Sequence, residues 1–226
     1  MAYKERQKPR MLCIYEALAK RMKLGPGDQY YLLHMDGGFV GECGLDVHTD
    51  TLDSRCLVLN DLQLRHNRVS IQIDTLVICP DKLLVYETKN HKGDHLWGPL
   101  TFRKPSGATM ENPSLQLNRT MARLGVLLAE LKIDMPIEGF VVFINPEFNL
   151  LSNRKIEGYL LPGQIPRHFQ NFRVKGTIGP EQQRLADGLI RMHNPRHFSE
   201  ELPEIDYAKL RKELFCLDCG SAVRLD

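Results

Sequence analysis

The chain has no long hydrophobic run. Nowhere do about 18 uncharged apolar residues follow one another, the length at which a spanning helix becomes a candidate. It also lacks charge of one sign: 30 Lys and Arg against 28 Asp and Glu leave a net charge of +2. Any site for a polyanion must therefore arise from local clustering and not from overall charge. The N-terminal MAYKERQKPR is charged, and the apolar run after it is cut by Glu16 and Lys20, so it does not read as a signal peptide. With no export signal, the scattered Cys13, Cys43, Cys56 and Cys79 are expected as reduced residues and not as disulfides. Internal repeats and low-complexity stretches are absent. What remains is of ordinary globular composition: 42% hydrophobic and 26% charged over 226 residues, enough for one domain with a real core and a small appendage. The expectation is a soluble, cytoplasmic protein with no membrane contact.

The hydrophobic period changes along the chain. Residues 11–24 read as a helix, with Leu12, Tyr15, Leu18, Ala19 and Met22 on one face and Gly25-Pro26-Gly27 as the stop. A weaker helix is expected over 39–53, opening after Gly37-Gly38 with Glu42 in its first turn. CLVLNDL (56–62), SIQIDTLVI (70–78) and KLLVYETK (82–89) are rich in β-branched and aromatic residues and read as strands. Cys79-Pro80-Asp81 joins the last two as a hairpin, and another strand is expected near 95–102. Asn112-Pro113-Ser114 starts a long helix whose apolar face is Leu117, Met121, Leu124, Leu128 and Leu131. A buried strand follows at 137–144. Beyond Asn145, prolines break the pattern, with helices expected at 180–193 and 206–214. The fold class is α/β: a restriction-endonuclease-like mixed central sheet flanked by helices, with a mainly helical or irregular C-terminal part. The expected organisation is a helical lead-in (1–38), a core (39–145) and an extension packed on it (146–226).

Strand parity sets Glu87 and Lys89 on one side of their strand. Asp74 lies on the preceding strand, near the same end across a short turn. An acid on one strand and Glu-x-Lys on the next suits a divalent ion held against a phosphate. Magnesium takes hard oxygen ligands and keeps several waters, so two carboxylates and a backbone carbonyl, here that of Thr88, suffice. The ion polarises a phosphoryl oxygen and lowers the pKa of bound water. A neighbouring lysine orients water and stabilises charge on the phosphate. Glu42, from the helix, is a candidate for a second ion or for reaching the first through water.

GECGL (41–45), LNDLQL (59–64), IQIDTLVI (71–78), YETKNHKG (86–93), NPSLQLNR (112–119) and GFVVFI (139–144) together resemble the nuclease-related domain, NERD. That family is grouped by similarity with the PD-(D/E)XK nucleases. The resemblance spans six separated motifs in order. It implies metal ligands at Asp74 and Glu87, a catalytic lysine at Lys89, a helix glutamate at Glu42 and a helix glutamine at Gln116. Gln72 also matches, without an assigned role. The implied cofactor is Mg²⁺ or Mn²⁺ and the implied substrate is nucleic acid, more readily DNA, in DNA processing.

Lys92, Arg103, Lys104, Arg119 and Arg123 outnumber the nearby Asp94 and Glu111, a surplus that suits a phosphate-tracking groove. Trp97 can stack a base or anchor a partly buried contact. Cys216-x-x-Cys219 resembles half of a zinc ribbon. Structural zinc needs four ligands, and His193 and His197, with Pro195 between them, offer an awkward second pair. The leading expectation is a magnesium-dependent nuclease. Its rivals are a nucleic-acid-binding or regulatory module that keeps the fold without cleaving, and an interaction protein whose 146–226 segment docks a protein partner. A homodimer is compatible with each.

Overall fold

The computed structural model describes residues 1–194, 203, 205–216 and 222–223. The chain divides into two compact units, Met1–Gln7 with Val40–Phe198, and Lys8–Phe39 with Ser199–Asp226. The smaller unit contains helix α1 (Arg10–Arg21) and the first part of α2 (Pro26–Thr49). Met11, Tyr15, Leu18 and Leu24 form its apolar cluster, with Leu32 and Met35 against it.

The expected break at Gly37-Gly38 is not found: α2 is one helix from Pro26 to Thr49. Each mid-helix glycine costs about 1 kcal/mol relative to alanine but does not forbid the conformation. The packing of the partly buried Leu32 and Met35 before the glycines, and the burial of Leu45 after them, outweigh that penalty. Glu42 therefore sits well inside a helix and not in a first turn, so a favourable helix-dipole position does not explain it.

The larger unit is built on β1 (Leu57–His66), β2 (Val69–Ile78), β3 (Leu83–Lys89), β7 (Ile137–Phe143) and β9 (Tyr159–Leu160), which form a mixed sheet in the order β1-β2-β3-β7-β9. β1–β2 and β2–β3 are antiparallel, whereas β3–β7 and β7–β9 are parallel. A second sheet, β6-β5-β4-β8, comprises β4 (Gly93–Leu96), β5 (Thr101–Arg103), β6 (Thr109–Glu111) and β8 (Phe148–Leu151). The single strand expected near 95–102 is thus two, parted around Gly98-Pro99.

Helices cover both faces of the main sheet. On one, Leu117, Leu124, Leu127 and Leu128 of α3 (Pro113–Glu130) and Leu185, Ala186 and Leu189 of α5 (Pro180–Met192) pack with Leu83, Val85 and Val141. On the other, Leu45 of α2 and Ile165 and Phe169 of α4 (Ile165–Gln170) pack with Leu84, Tyr86 and Val142. Residues after Asn145 thus contribute strands to both sheets as well as covering helices. In place of the helix expected at 206–214 there is one 3-10 turn, Tyr207–Lys209, started by the Asp206 side chain accepting from Ala208 N–H. β10 (Leu214–Phe215) then pairs with β11 (Ala222–Val223).

Two local features shape the end of the sheet near Asp74. Leu59 and Leu62, three residues apart, lie in the same apolar cluster, as do Ile73 and Leu76 opposite them. The alternation of faces is therefore broken between them. Asp61, at φ 48°, lies in this irregularity, and no Asp61–Asp74 pair appears in the register. The β2–β3 ladder also stops at Thr75↔Tyr86, while β3 stays paired with β7 as far as Lys89↔Phe143. β2 and β3 part just where Asp74 and Glu87 would come opposite one another.

Candidate active site

Because the ladder ends at Thr75↔Tyr86, the N–H of Thr88 has no partner on β2's backbone. The Asp74 side chain takes its place, Oδ2 accepting from Thr88 N–H at 2.8 Å. Glu87 and Lys89 leave β3 on the face covered by α3. Lys89 Nζ donates to Glu87 Oε1 at 2.7 Å and to Gln116 Oε1 at 3.0 Å. Gln116 lies in the first turns of α3, whose start is fixed by Asn112: its Oδ1 accepts from Ser114 N–H at 2.9 Å and from the Tyr159 hydroxyl at 2.6 Å. That is an N-cap built from β9 as well as from the helix itself. Asp74, Glu87, Lys89 and Gln116 are therefore brought together, whereas Gln72 is exposed.

The acids are dry, with Glu87 2% and Asp74 7% exposed. Burial, and after it the charge of Asp74, pushes Glu87 up to about 8 despite Lys89. Burial also raises Asp74, opposed by Lys89 and the Thr88 N–H. Glu42 is pushed up to about 8 by burial and then by Asp74, against the pull of Arg6. Burial alone would lower Lys89, but Glu87 and Asp74 together hold its pKa above the usual lysine value. The buried Asp74 and Glu87 and the half-buried Glu42 and Asp46 thus share two cations, Arg6 and Lys89, a charge deficit of the kind a divalent ion relieves. Among the described residues the second oxygen of Asp74 and of Glu87 accepts no hydrogen bond, leaving each acid a free hard donor. The donor set suits magnesium, which needs few protein ligands and retains water. Among the described residues no group of three or more His, Cys, Asp or Glu is gathered to hold a metal ion.

Arg6 is the residue that sequence reasoning missed. Residues 3–4 lie along β1, with Tyr3 N–H and Lys4 N–H on Val58 O and Asn60 N–H on Lys4 O. This brings Arg6 to the site, where it is bound to Glu42 and, through two nitrogens, to Asp46 at 2.9 and 3.0 Å. Nothing in KERQKPR distinguishes this arginine from its charged neighbours.

The expected basic groove is weaker than its composition. Arg119 is paired with Glu111 and Lys92 with Glu147, and Arg123 donates to the Ser70 carbonyl. Arg103 and Lys104 have no ion pair among the described residues. Trp97 lies under the Arg154 guanidinium, 4.5 Å from its ring centroid. His193 Nδ1 accepts from Gln63 N–H, Cys216 is a free thiol, and Cys219 and His197 lie outside the described residues. No helix among the described residues is long and apolar enough to cross a membrane.

A mixed sheet covered by helices on both faces, with an acid on one strand facing Glu-x-Lys on the next, is a nuclease-like α/β core. Within that class, residues 38–144 match the sequence model of NERD, the nuclease-related domain. The family is related to the PD-(D/E)XK nucleases. No curated protein and no solved structure matches the chain.

Proposed function

We propose that the protein is a divalent-metal-dependent nuclease that hydrolyses phosphodiester bonds in DNA. The observation that carries this reading is the arrangement at the parting of β2 and β3. There Asp74 and Glu87 each have one oxygen that accepts no hydrogen bond among the described residues, and Lys89 is aimed by Glu87 and Gln116. Asp74 and Glu87 would hold Mg²⁺ or Mn²⁺. When bound, the ion supplies Lewis-acid polarisation of the phosphate and a more acidic water. Lys89, kept protonated by its two acidic neighbours, stabilises negative charge developing on the phosphate and orients the attacking water. Gln116 fixes the lysine's direction from the capped start of α3. Among the described residues Arg103 and Lys104 make no ion pair, which leaves them available to a phosphate backbone.

The test is cleavage of labelled single- and double-stranded DNA with Mg²⁺ or Mn²⁺ by the wild type, Asp74→Asn and Lys89→Ala. Metal-dependent cutting should fall at least about a hundredfold in each variant. Salt-sensitive binding without cutting would favour a non-cleaving nucleic-acid-binding module, and cutting unaffected by either change would remove the assignment.

A further inference from the structure

We infer that Arg6 withholds Glu42 from metal ligation, so that the centre takes one divalent ion, on Asp74 and Glu87, and not two. The inference rests on the metal-dependent reading above and adds to it a residue outside the 38–144 match.

The Arg6 side chain is 3% exposed and every guanidinium nitrogen is engaged. Nε and Nη2 grip Asp46 as a fork, and Nη1 donates to Glu42 Oε2. Nη2 also donates to the Asp74 carbonyl at 2.9 Å and to Thr75 Oγ1 at 3.0 Å. One planar cation thus ties α2 to β2, a geometry that a lysine's single ammonium cannot reproduce. Glu42 is 24% exposed and gives only Oε2 to Arg6, so what opposes a second metal ion there is the adjacent guanidinium itself, positive against positive and held in place by its bonds to Asp46, Asp74 and Thr75. Independently, Glu42 is not gathered with Asp74 and Glu87 into a three-carboxylate group among the described residues. Arg6 occupies, as a fixed internal charge, the role that a second ion would have there.

Manganese binding to the full chain, counted by titration calorimetry and by the electron paramagnetic resonance of free Mn²⁺, tests this without any need for turnover. The wild type should bind one Mn²⁺, and Asp74→Asn should weaken it by about tenfold or more. Glu42→Gln should keep the single ion at unchanged affinity, since Arg6 retains Asp46. Arg6→Gln, checked for folding by circular dichroism, should take up a second ion, and Arg6→Gln with Glu42→Gln should return to one. If Arg6→Gln does not fold, the wild-type count and Glu42→Gln decide. Two ions in the wild type, a tenfold loss in Glu42→Gln, or a single ion in folded Arg6→Gln overturns the inference while leaving a metal site standing. No ion in the wild type overturns it together with the metal-dependent reading.

Discussion

His168 is a half-buried histidine whose surroundings tie stability to pH. Its Nε2 is 3.0 Å from the Tyr86 hydroxyl, and Phe140 and Phe169 pack against its ring edge-on. Burial, followed by the charge of Lys82, lowers its pKa from the ordinary 6.5, with Glu138 opposing. A folded-state value below the unfolded one means that protonation favours the unfolded chain. The contribution of His168 is complete above about pH 6.5 and is lost as pH falls through the folded value. Chemical denaturation from pH 8 to pH 5 should show wild type losing more stability on the acid side than His168→Gln; parallel curves would remove His168 as the cause. At this same scale the sequence was partly readable. Glu87 and Lys89 share a face because a strand repeats every two residues, whatever packs on it. Arg6 could not be read, because its importance depends on residues 36 to 69 positions away.

At the scale of elements, the glycines of α2 divide into two kinds. A Cβ at Gly41 would lie 2.6 Å from Asn90 Cβ and 3.2 Å from Ile144 Cγ2, so the helix approaches the ends of β3 and β7 only because Gly41 has no side chain. A Cβ at Gly38 meets nothing within 4 Å. Gly41→Ala should destabilise by about 1–3 kcal/mol through overpacking. Gly38→Ala should stabilise by up to about 1 kcal/mol through helix propensity. Urea denaturation of the two variants compares them directly, and equal effects would contradict the packing account. The sequence pattern treated Gly37-Gly38 as a break because propensity is local, whereas the helix continues because apolar residues on both sides of the pair are packed, Leu32 and Met35 partly and Leu45 fully buried. Parity failed in a different way on β1 and β2. The irregularity at Asp61 and Asp74 leaves no mark in the hydrophobic pattern beyond a three-residue spacing of leucines and isoleucine.

For the molecule as a whole, the acidic centre sets a second pH dependence, opposite in sign to that of His168. Glu42 and Glu87 are both pushed up to about 8, chiefly by burial and then by Asp74. A folded value above the unfolded one favours the folded chain when protonated, so this stability is full below about pH 4.5 and is lost as pH rises towards 8. The groups are coupled, and their effects do not add. In EDTA the Tm should fall between about pH 5 and 8.5. Mg²⁺ should restore it, more at pH 8 than at pH 5.5, because the ion and protons compete for the same oxygens. Calorimetric scans with and without Mg²⁺ check both statements. A Tm in EDTA that is flat across this window, or a Mg²⁺ effect larger at the lower pH, would contradict the charge-deficit account.

Local sequence pattern is enough for the alternation of strands and helices, the hairpin that brings Asp74 towards Glu87, the shared face of Glu87 and Lys89, and the cap that starts α3 beneath Gln116. These depend on periods, turns and caps, which act over a few residues. The rest is set by packing between distant segments: that β2 and β3 part where Asp74 takes the Thr88 N–H, that α2 runs unbroken, that residues after Asn145 complete both sheets, and that Arg6 joins α2 to β2. Each of these depends on which distant groups share a dry interior. There, burial and charge pairing outweigh local preference, because desolvating an unpartnered charge or amide costs more than a propensity of a few tenths of a kcal/mol.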